Sequence, residues 1–251
     1  MFTAIFVILV FGFVVFPYGI APLVVRFVHK QSARPEVEQV GADAFCPELA
    51  AYFGRVAACL APLGFAPAAY VRVTDAAART EIRALLLTNE SARESAAAFE
   101  LQGKGPVQSF SRHVEFCTEF VNGDELGTHN CGMAFVFKPH PKKRLFRFPG
   151  VQHPQTLHRA HRRLVERHRP PAEPFVPTRG TEHLHLLHSF EKTYGRQAEF
   201  GYLFLDEAAG VYRPTLKGAF LMSWKLAWPV KQAREALARR SETVMLRRLG
   251  A

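Results

Sequence analysis

Four polar side chains alternate along one predicted strand and could together perform acid–base or nucleophilic chemistry. They are His113, Glu115, Cys117 and Glu119, and residues two apart in a strand share a face. Such a row can transfer protons or attack an electrophile if a cleft covers it. A sheet face exposed to water gives the same alternation, and no third group that would orient a base can be assigned. Since the chain contains no GxSxG, HExxH or phosphate-binding glycine loop, no catalytic motif supports an enzyme.

The segment from Val107 to Phe137 is predicted to be the β-hairpin that carries this row. If Gly123 and Asp124 form a two-residue turn, the numbers of paired residues sum to 247. One face is then apolar and pairs Phe110 with Phe137, Val114 with Met133 and Phe116 with Cys131. The other face is polar and pairs His113 with Ala134, Glu115 with Gly132, Cys117 with Asn130 and Glu119 with Thr128. This register also keeps Cys117 and Cys131 on opposite faces, where they cannot form a disulfide.

Histidines are concentrated in one part of the chain, which raises the question of a metal site. Eight of the eleven lie between His140 and His188, including the run His183-x-His185-x-x-His188. At about 100° per residue, three ligands from this helix cannot point at one ion. His185 and His188 could bind an ion together with His158 or His161, but packed or solvent-facing histidines are the favoured interpretation. We therefore predict no metal and no cofactor.

A basic block and a tryptophan-containing helix indicate contact with anionic lipid. Between Lys138 and Arg169 the block has ten lysines and arginines and one acid, Glu166, and each cation near an anionic leaflet contributes about 1 kcal/mol. Further on, aromatic residues recur on one side of the segment from Gly218 to Val230, as in a helix that lies in the membrane interface. The alternative is that its tryptophans pack on the sheet. The candidate lipid-facing residues are Lys142, Lys143, Arg144, Arg162, Arg163, Trp224, Trp228 and Lys231.

A short string near the C-terminus gives a different hypothesis. Residues 212–218, Tyr-Arg-Pro-Thr-Leu-Lys-Gly, follow a predicted short hairpin, and this string resembles the wing and following helix of winged-helix DNA-binding domains. The resemblance implies that the preceding helix, with Lys192 and Arg196, would enter the DNA groove. It covers fewer than twenty residues, so a membrane-tethered nucleic-acid binder is the second hypothesis and an enzyme the third.

The segment from Phe2 to Val25 is uncharged and long enough to cross a bilayer. At about 1.5 Å per residue it reaches roughly 36 Å as a helix, and Pro17 and Pro22 predict a bend. A secretory signal peptide is the alternative, but a basic n-region and a clear cleavage site are missing. The cations that follow, Arg26, Lys30 and Arg34, predict that the N-terminus lies outside the cell (inner) membrane and the rest in the cytoplasm.

The rest of the chain has the composition of a globular domain. Hydrophobic residues make up 48%, and the formal net charge of +10 favours an anionic partner. The order of predicted elements indicates an α+β protein, with an N-terminal transmembrane helix, a mainly antiparallel meander sheet flanked by helices, and a helical C-terminal part. The predicted divisions are an anchor (1–30), a linker (31–44), an α+β domain (45–169) and a helical region with a small hairpin (178–251). All four cysteines are predicted to be reduced.

The expected function is therefore that of a membrane-anchored binding or structural module.

Overall fold

The structure of the protein is a computed structural model, which describes residues 11–103, 109–132 and 136–250. Short 3-10 turns at Ala42–Ala44 and Ala61–Leu63 flank the third helix. The helices are α1 (Phe11–Ile20, with π-helical winding), α2 (Ala21–Val28), α3 (Pro47–Leu60), α4 (Pro154–His168), α5 (Glu182–Glu199), α6 (Leu216–Leu226) and α7 (Val230–Leu249).

The strands form two sheets, and the predicted α+β class with a mainly antiparallel sheet and a helical C-terminus is confirmed. The strands are β1 (Gln31–Ser32), β2 (Glu36–Val40), β3 (Ala66–Asp75), β4 (Thr80–Asn89), β5 (Glu94–Gly103), β6 (Ser109–Phe120), β7 (Glu125–His129), β8 (Lys143–Arg147), β9 (Pro174–Phe175), β10 (Leu203–Asp206) and β11 (Val211–Pro214). The main sheet runs β2 to β8 in chain order, and β9 pairs with β6. Its neighbours are antiparallel except β7 and β8, which are parallel. The small sheet has the order β1-β11-β10.

The predicted register of the hairpin β6–β7 is wrong by three residues. Glu119 lies opposite Glu125, so paired numbers sum to 244 rather than 247. A four-residue connection, 121–124, replaces the predicted two-residue turn. Within it Asn122 accepts a hydrogen bond from Asp124 N at 3.0 Å and donates one to the Asp124 carboxylate at 2.7 Å. This side-chain closure stabilises the longer connection, which the sequence pattern did not reveal.

An odd shift of register turns the second strand over, because side chains alternate between faces. Thr128 therefore lies opposite Phe116 on the buried face, and Cys117 lies opposite Gly127. The alternation within β6 itself agrees with the prediction, since Phe116 is fully buried and Cys117 points to the other face. The predicted pairs of Cys117 with Asn130 and Glu119 with Thr128 are thus wrong.

Strand β7 ends much earlier than predicted. Asn130 ends the ladder because its side-chain oxygen accepts from Val114 N at 2.7 Å while its side-chain nitrogen donates to Val151 O at 2.9 Å. The predicted pair of Phe110 with Phe137 is wrong for this reason. The predicted pairs of Phe116 with Cys131 and Glu115 with Gly132 are wrong because of the register shift, since Phe116 lies opposite Thr128 and Glu115 opposite His129. The two remaining predicted pairs involve Met133 and Ala134, which lie outside the described residues.

The main core lies between one face of the main sheet and helices α3 and α4. Apolar residues of α3 recur at helical spacing, and Leu49, Phe53 and Leu60 are fully buried. Leu157 of α4 is also fully buried, and the end of α7 packs on the same cluster through Met245 and neighbouring residues. The opposite face of the sheet carries a smaller cluster, which α5 covers with Leu186 and Phe190. The main sheet therefore separates α4 from α5.

The N-terminal part of the chain is folded onto the C-terminal part. Helix α2 packs against α6, and β1 pairs with β11. The segment 31–44, predicted to be a linker, contains β1, β2 and a 3-10 turn, and the predicted domain boundaries stay predictions. Residues 2–10 of the predicted membrane span lie outside the described residues. Among the residues that are described, no helix is both long enough and apolar enough to cross a membrane.

Candidate functional site

The polar row of β6 lies on the sheet face that α5 covers. His185 of α5 contacts Glu119, with 2.6 Å between its Nε2 and a carboxylate oxygen. Lys143 of β8 forms an ion pair with Glu125 of β7, and the Cys117 thiol donates to the same Glu125 carboxylate at 3.6 Å. These polar side chains are therefore paired with one another across neighbouring strands and with the covering helix.

Burial shifts the pKa of each of the other members of the row in the direction that favours its neutral form. Burial raises the pKa of Glu115, although Lys143 opposes the shift. It also raises the pKa of the Cys117 thiol, and the charge of Glu125 adds to this shift. Burial also lowers the pKa of His113 to about 4, and this ring stacks on Phe99 with centroids 5.2 Å apart. A protonated thiol is a poor nucleophile, so the row lacks an activated group.

Two cavities in the described part of the chain lie away from this row. One has a volume of about 170 Å³, and residues of β3, β4 and α5 line it. The other, about 370 Å³, is an open groove beside the start of β3 that includes Arg179 and Glu182. None of the four row residues lines either cavity, so neither supplies the cleft that chemistry on this face requires.

The thiol of Cys117 should resist alkylation at neutral pH. Because its pKa is raised by burial and by Glu125, we expect it to react with iodoacetamide at least about a hundredfold more slowly than the exposed Cys46. Peptide mapping by mass spectrometry at successive times measures both rates in one sample. Equal rates at the two cysteines would contradict the neutral environment and revive a nucleophilic role.

The histidines that could have formed a metal site are held by separate partners. His185 contacts Glu119, and His158 contacts Glu94 at 2.9 Å on the other side of the sheet. His188 is exposed. In the described residues, no group of three or more histidines, cysteines or acids is arranged to hold a metal ion.

A buried carboxylate between the main sheet and α4 was not anticipated from the sequence. Glu94 at the start of β5 is 1% exposed, and it accepts from Arg162 at 2.8 Å and contacts His158 at 2.9 Å. Burial opposes ionisation, but these two hydrogen bonds outweigh it and lower the pKa of Glu94. His158 and Arg162 are four residues apart on one helix face, which is the only signal that the sequence carried.

His161 lies beside this carboxylate and is fully buried. Its Nε2 is 2.9 Å from the hydroxyl of Thr118, and its Nδ1 is 3.0 Å from the hydroxyl of Thr128. Burial lowers the pKa of His161 to about 3, although Glu94 opposes the shift. The neutral ring offers one donor and one acceptor, and the two threonines match them.

The cations predicted to face lipid have different environments. Lys143 and Arg162 hold buried or partly buried acids, as described above. Lys142 and Arg144 are exposed. Arg163 is 58% exposed and forms an ion pair with Glu166 at 3.4 Å. The exposed members are therefore available to an anionic surface, whereas Lys143 and Arg162 stabilise the fold.

The two tryptophans predicted to face lipid also differ. Trp228 is 59% exposed, and its carbonyl oxygen accepts from the hydroxyl of Tyr18 at 3.3 Å. Trp224 is partly buried and stacks on Phe220 at 6.4 Å between centroids. Lys231, the last of the candidates, is about half exposed and lies 4.0 Å from Glu235. Of the two tryptophans in the interfacial prediction, Trp228 therefore lies at the surface, whereas Trp224 packs against its own helix.

Large exposed apolar side chains are carried by α1, α2, β10, α6 and Trp228, and we call this set the N-terminal apolar surface. It joins α1 and α2 to β10 and α6, since α2 packs on α6 and Arg26 lies 5.6 Å above the ring of Phe204. Its members are each more than one third exposed: Phe11, Val15, Phe16, Ile20, Leu23, Val24, Phe27, Val28, Phe204, Leu205, Leu216, Phe220 and Trp228. An area this rich in large apolar side chains marks a contact surface for lipid or protein.

The chain matches no family model, no curated protein and no solved structure. Its function must therefore be argued from its own residues.

The helix that the winged-helix resemblance assigns to a DNA groove is α5. Its Leu186 and Phe190 pack on the main sheet, and Lys192 and Arg196 are partly buried. The small sheet and α6 do follow it in the order that the resemblance implies. The nucleic-acid hypothesis stays a prediction, and it would require α5 to leave the main sheet to enter a groove.

Proposed function

We propose that the protein is a single-pass membrane-anchored module whose domain binds partners or serves as a structural element at the cytoplasmic side of the cell (inner) membrane. The anchor is the uncharged segment from Phe2 to Val25. Its retention predicts an N-terminus outside and a cytoplasmic domain, because Arg26, Lys30 and Arg34 follow it.

The N-terminal apolar surface is the observation that carries this proposal. Phe27 and Val28 of α2 are 73% and 71% exposed, which is unfavourable for large apolar side chains in water. The same surface continues to Trp228, an aromatic residue of the kind enriched at membrane–water interfaces. A bilayer would cover both the anchor and this surface, since α2 packs directly on α6.

Exposed cations favour an anionic leaflet. Lys231 borders the N-terminal apolar surface and is 52% exposed. Lys142, Arg144 and Arg163 add exposed positive charge on the main sheet and α4. Each cation that reaches the headgroups would contribute about 1 kcal/mol of attraction, so the domain would lie close to the membrane rather than on a free tether.

Two aspartates in the proposed anchor should release the protein from membranes. Each charge costs about 2.5–3.5 kcal/mol at the centre of a bilayer, so Phe16→Asp with Val24→Asp should lower the carbonate-resistant membrane fraction at least tenfold. Both side chains are about half exposed in the fold, so folding should tolerate them. Alkaline carbonate extraction of membranes from cells that express the full chain measures this fraction.

The matched control places the same charges on α7. Leu237 and Val244 are 66% and 42% exposed, and Leu237→Asp with Val244→Asp should leave the membrane fraction unchanged. Retention of the Phe16 and Val24 variant at the level of the wild type would refute the anchor. Labelling of exposed Cys46 with an impermeant maleimide before lysis would refute the orientation.

A further inference from the structure

The cavity of about 170 Å³ lies where one end of the main sheet meets α5 and the N-terminal segment. Its apolar wall includes Val73, Ile82, Leu101 and Phe190. A cavity of about 150 Å³ with such a lining holds a benzene molecule. One six-membered ring or a short alkyl chain therefore fits this space.

A buried carboxylate also lines the cavity. Asp75 at the end of β3 is 8% exposed. Its Oδ1 accepts from Ser32 Oγ at 2.7 Å, from Ser32 N at 3.0 Å and from Ala78 N at 2.9 Å. From the described residues, its Oδ2 accepts only a share of the Ser32 N–H, at 3.2 Å. One oxygen of Asp75 is thus saturated, and the other retains acceptor capacity.

Asp75 has no cationic partner in the described ranges 11–103, 109–132 and 136–250. No lysine, arginine or histidine there lies within ion-pair distance of its carboxylate. His29 is near, but burial lowers its pKa more than Asp75 raises it, which favours the neutral ring. Buried carboxylates are normally paired with a cation. The described residues therefore place no cation against this carboxylate.

Aromatic rings on α5 complete the environment. Phe190 and Tyr194 both line the cavity, and their ring centroids are 6.4 Å apart. Burial raises the pKa of Tyr194 to about 12, with a further contribution from Asp75, so the phenol stays protonated. A cation beside these rings would gain from their negative faces as well as from the carboxylate.

We propose that this cavity binds a small primary organic ammonium ion. The ammonium group donates to Asp75 Oδ2, and the apolar part of the ligand packs among Val73, Ile82 and Leu101. The carboxylate thereby obtains the positive charge that the described chain does not provide, and the ring or alkyl group fills a space of its own size. This site is independent of membrane attachment.

Ligand-observed NMR of the full chain in detergent micelles tests the site with two probes of the same shape. Benzylammonium should show saturable binding, and its neutral analogue benzyl alcohol should bind at least about tenfold more weakly, because it lacks the charge-assisted hydrogen bond. Protein-free micelles give the background for both probes. Equal affinities, or no saturable binding of benzylammonium, would overturn the proposal.

Three variants separate the charge from the cavity. Asp75→Asn should abolish the preference for the amine, and Ser32→Ala, which removes one donor but keeps the carboxylate, should preserve it. Leu101→Phe should fill the space and abolish binding of both probes without changing any charge. Undiminished binding in the Leu101 variant would overturn the proposal even if the Asp75 variant failed to fold.

Discussion

Replacing Arg162 with methionine is expected to lower the free energy of unfolding by about 2 kcal/mol at pH 7, because a buried carboxylate then loses its permanent cation. The Glu94 side chain is 1% exposed, whereas that of Arg162 is 45% exposed. Breaking a fully buried pair costs about 3–5 kcal/mol, and the value here is reduced because water reaches Arg162 and His158 remains as a partner. Urea unfolding followed by circular dichroism measures the change.

The neighbouring arginine is the matched control. Arg163 contacts Glu166 at 3.4 Å, and both side chains are more than half exposed, so Arg163→Met should change the unfolding free energy by less than about 0.5 kcal/mol. Both residues were candidates for lipid contact. A large change in the unfolding free energy for Arg162→Met, with a small one for Arg163→Met, would show that Arg162 stabilises the fold.

A second background distinguishes charge from packing. With Glu94→Gln in place, Arg162→Met should cost less than about 0.5 kcal/mol, since no buried charge remains to be uncompensated. The same cost in both backgrounds would show that the stem of the arginine, rather than its charge, stabilises the contact.

The stabilisation that ionised Glu94 contributes should also vanish in acid. The pKa of Glu94 is lowered by folding, so its contribution is present above the ordinary value of 4.5 and is lost as pH falls through the folded value.

The regular elements could be predicted because their residues repeat with a clear period. The predicted helix that carries His183, His185 and His188 is α5. The alternation predicted along β6 places Phe116 and Cys117 on opposite faces of the sheet, as in the structure. Alternation in a strand and the 3.6-residue period of a helix are properties of the local chain. Such properties can be read without knowledge of the neighbours.

What a strand pairs with is not a local property. Residues 36–40, Glu-Val-Glu-Gln-Val, were predicted to lie in a linker, yet they form edge strand β2 because β3 supplies the hydrogen-bonding partners. The register of β6 and β7 failed for a related reason, since the closure of their connection by Asn122 decides it. Both errors arise where a tertiary contact or one side-chain hydrogen bond overrides pattern.

The sites were harder to predict than the elements. The row from His113 to Glu119 was placed correctly on one face of β6, but the covering helix and the partners Glu125 and Lys143 came from distant segments. Neither the spacing nor the composition of the sequence distinguished Glu94 or Asp75 from other acids. Each became notable only when its burial and its partners were known, because the perturbation of a carboxylate depends on what surrounds it.

The neutral histidine in the core should make the protein sensitive to acid. His161 has a pKa of about 3 in the fold, against an ordinary value of 6.5, because it is buried. Between these values the unfolded chain takes up a proton that the folded chain rejects, so the unfolding free energy falls with falling pH. The slope from this one residue is about 1.4 kcal/mol per pH unit.

His161→Gln should make the unfolding free energy depend less steeply on pH, because one fewer proton is taken up on unfolding. A glutamine amide can still donate to one threonine and accept from the other, but it does not titrate. We expect the variant to be less stable than the wild type by about 1–2 kcal/mol at pH 7.5 and to lose less stability below pH 6.5, so that the two curves converge or cross. Urea titrations at successive pH values measure both slopes.

Two further histidines make the comparison of slopes, rather than of absolute stabilities, the decisive one. Burial also lowers the pKa of His113 and of His129 to about 4, so both add to the acid sensitivity of wild type and variant alike. Only the difference between the slopes reports on His161. His188→Gln, at an exposed position, controls for loss of a histidine as such, since its side chain stays in water on unfolding. If the unfolding free energies of wild type and His161→Gln depend on pH in parallel, the buried ring must be protonated in the fold. Both of its nitrogens would then donate, so one threonine hydroxyl would have to change from donor to acceptor.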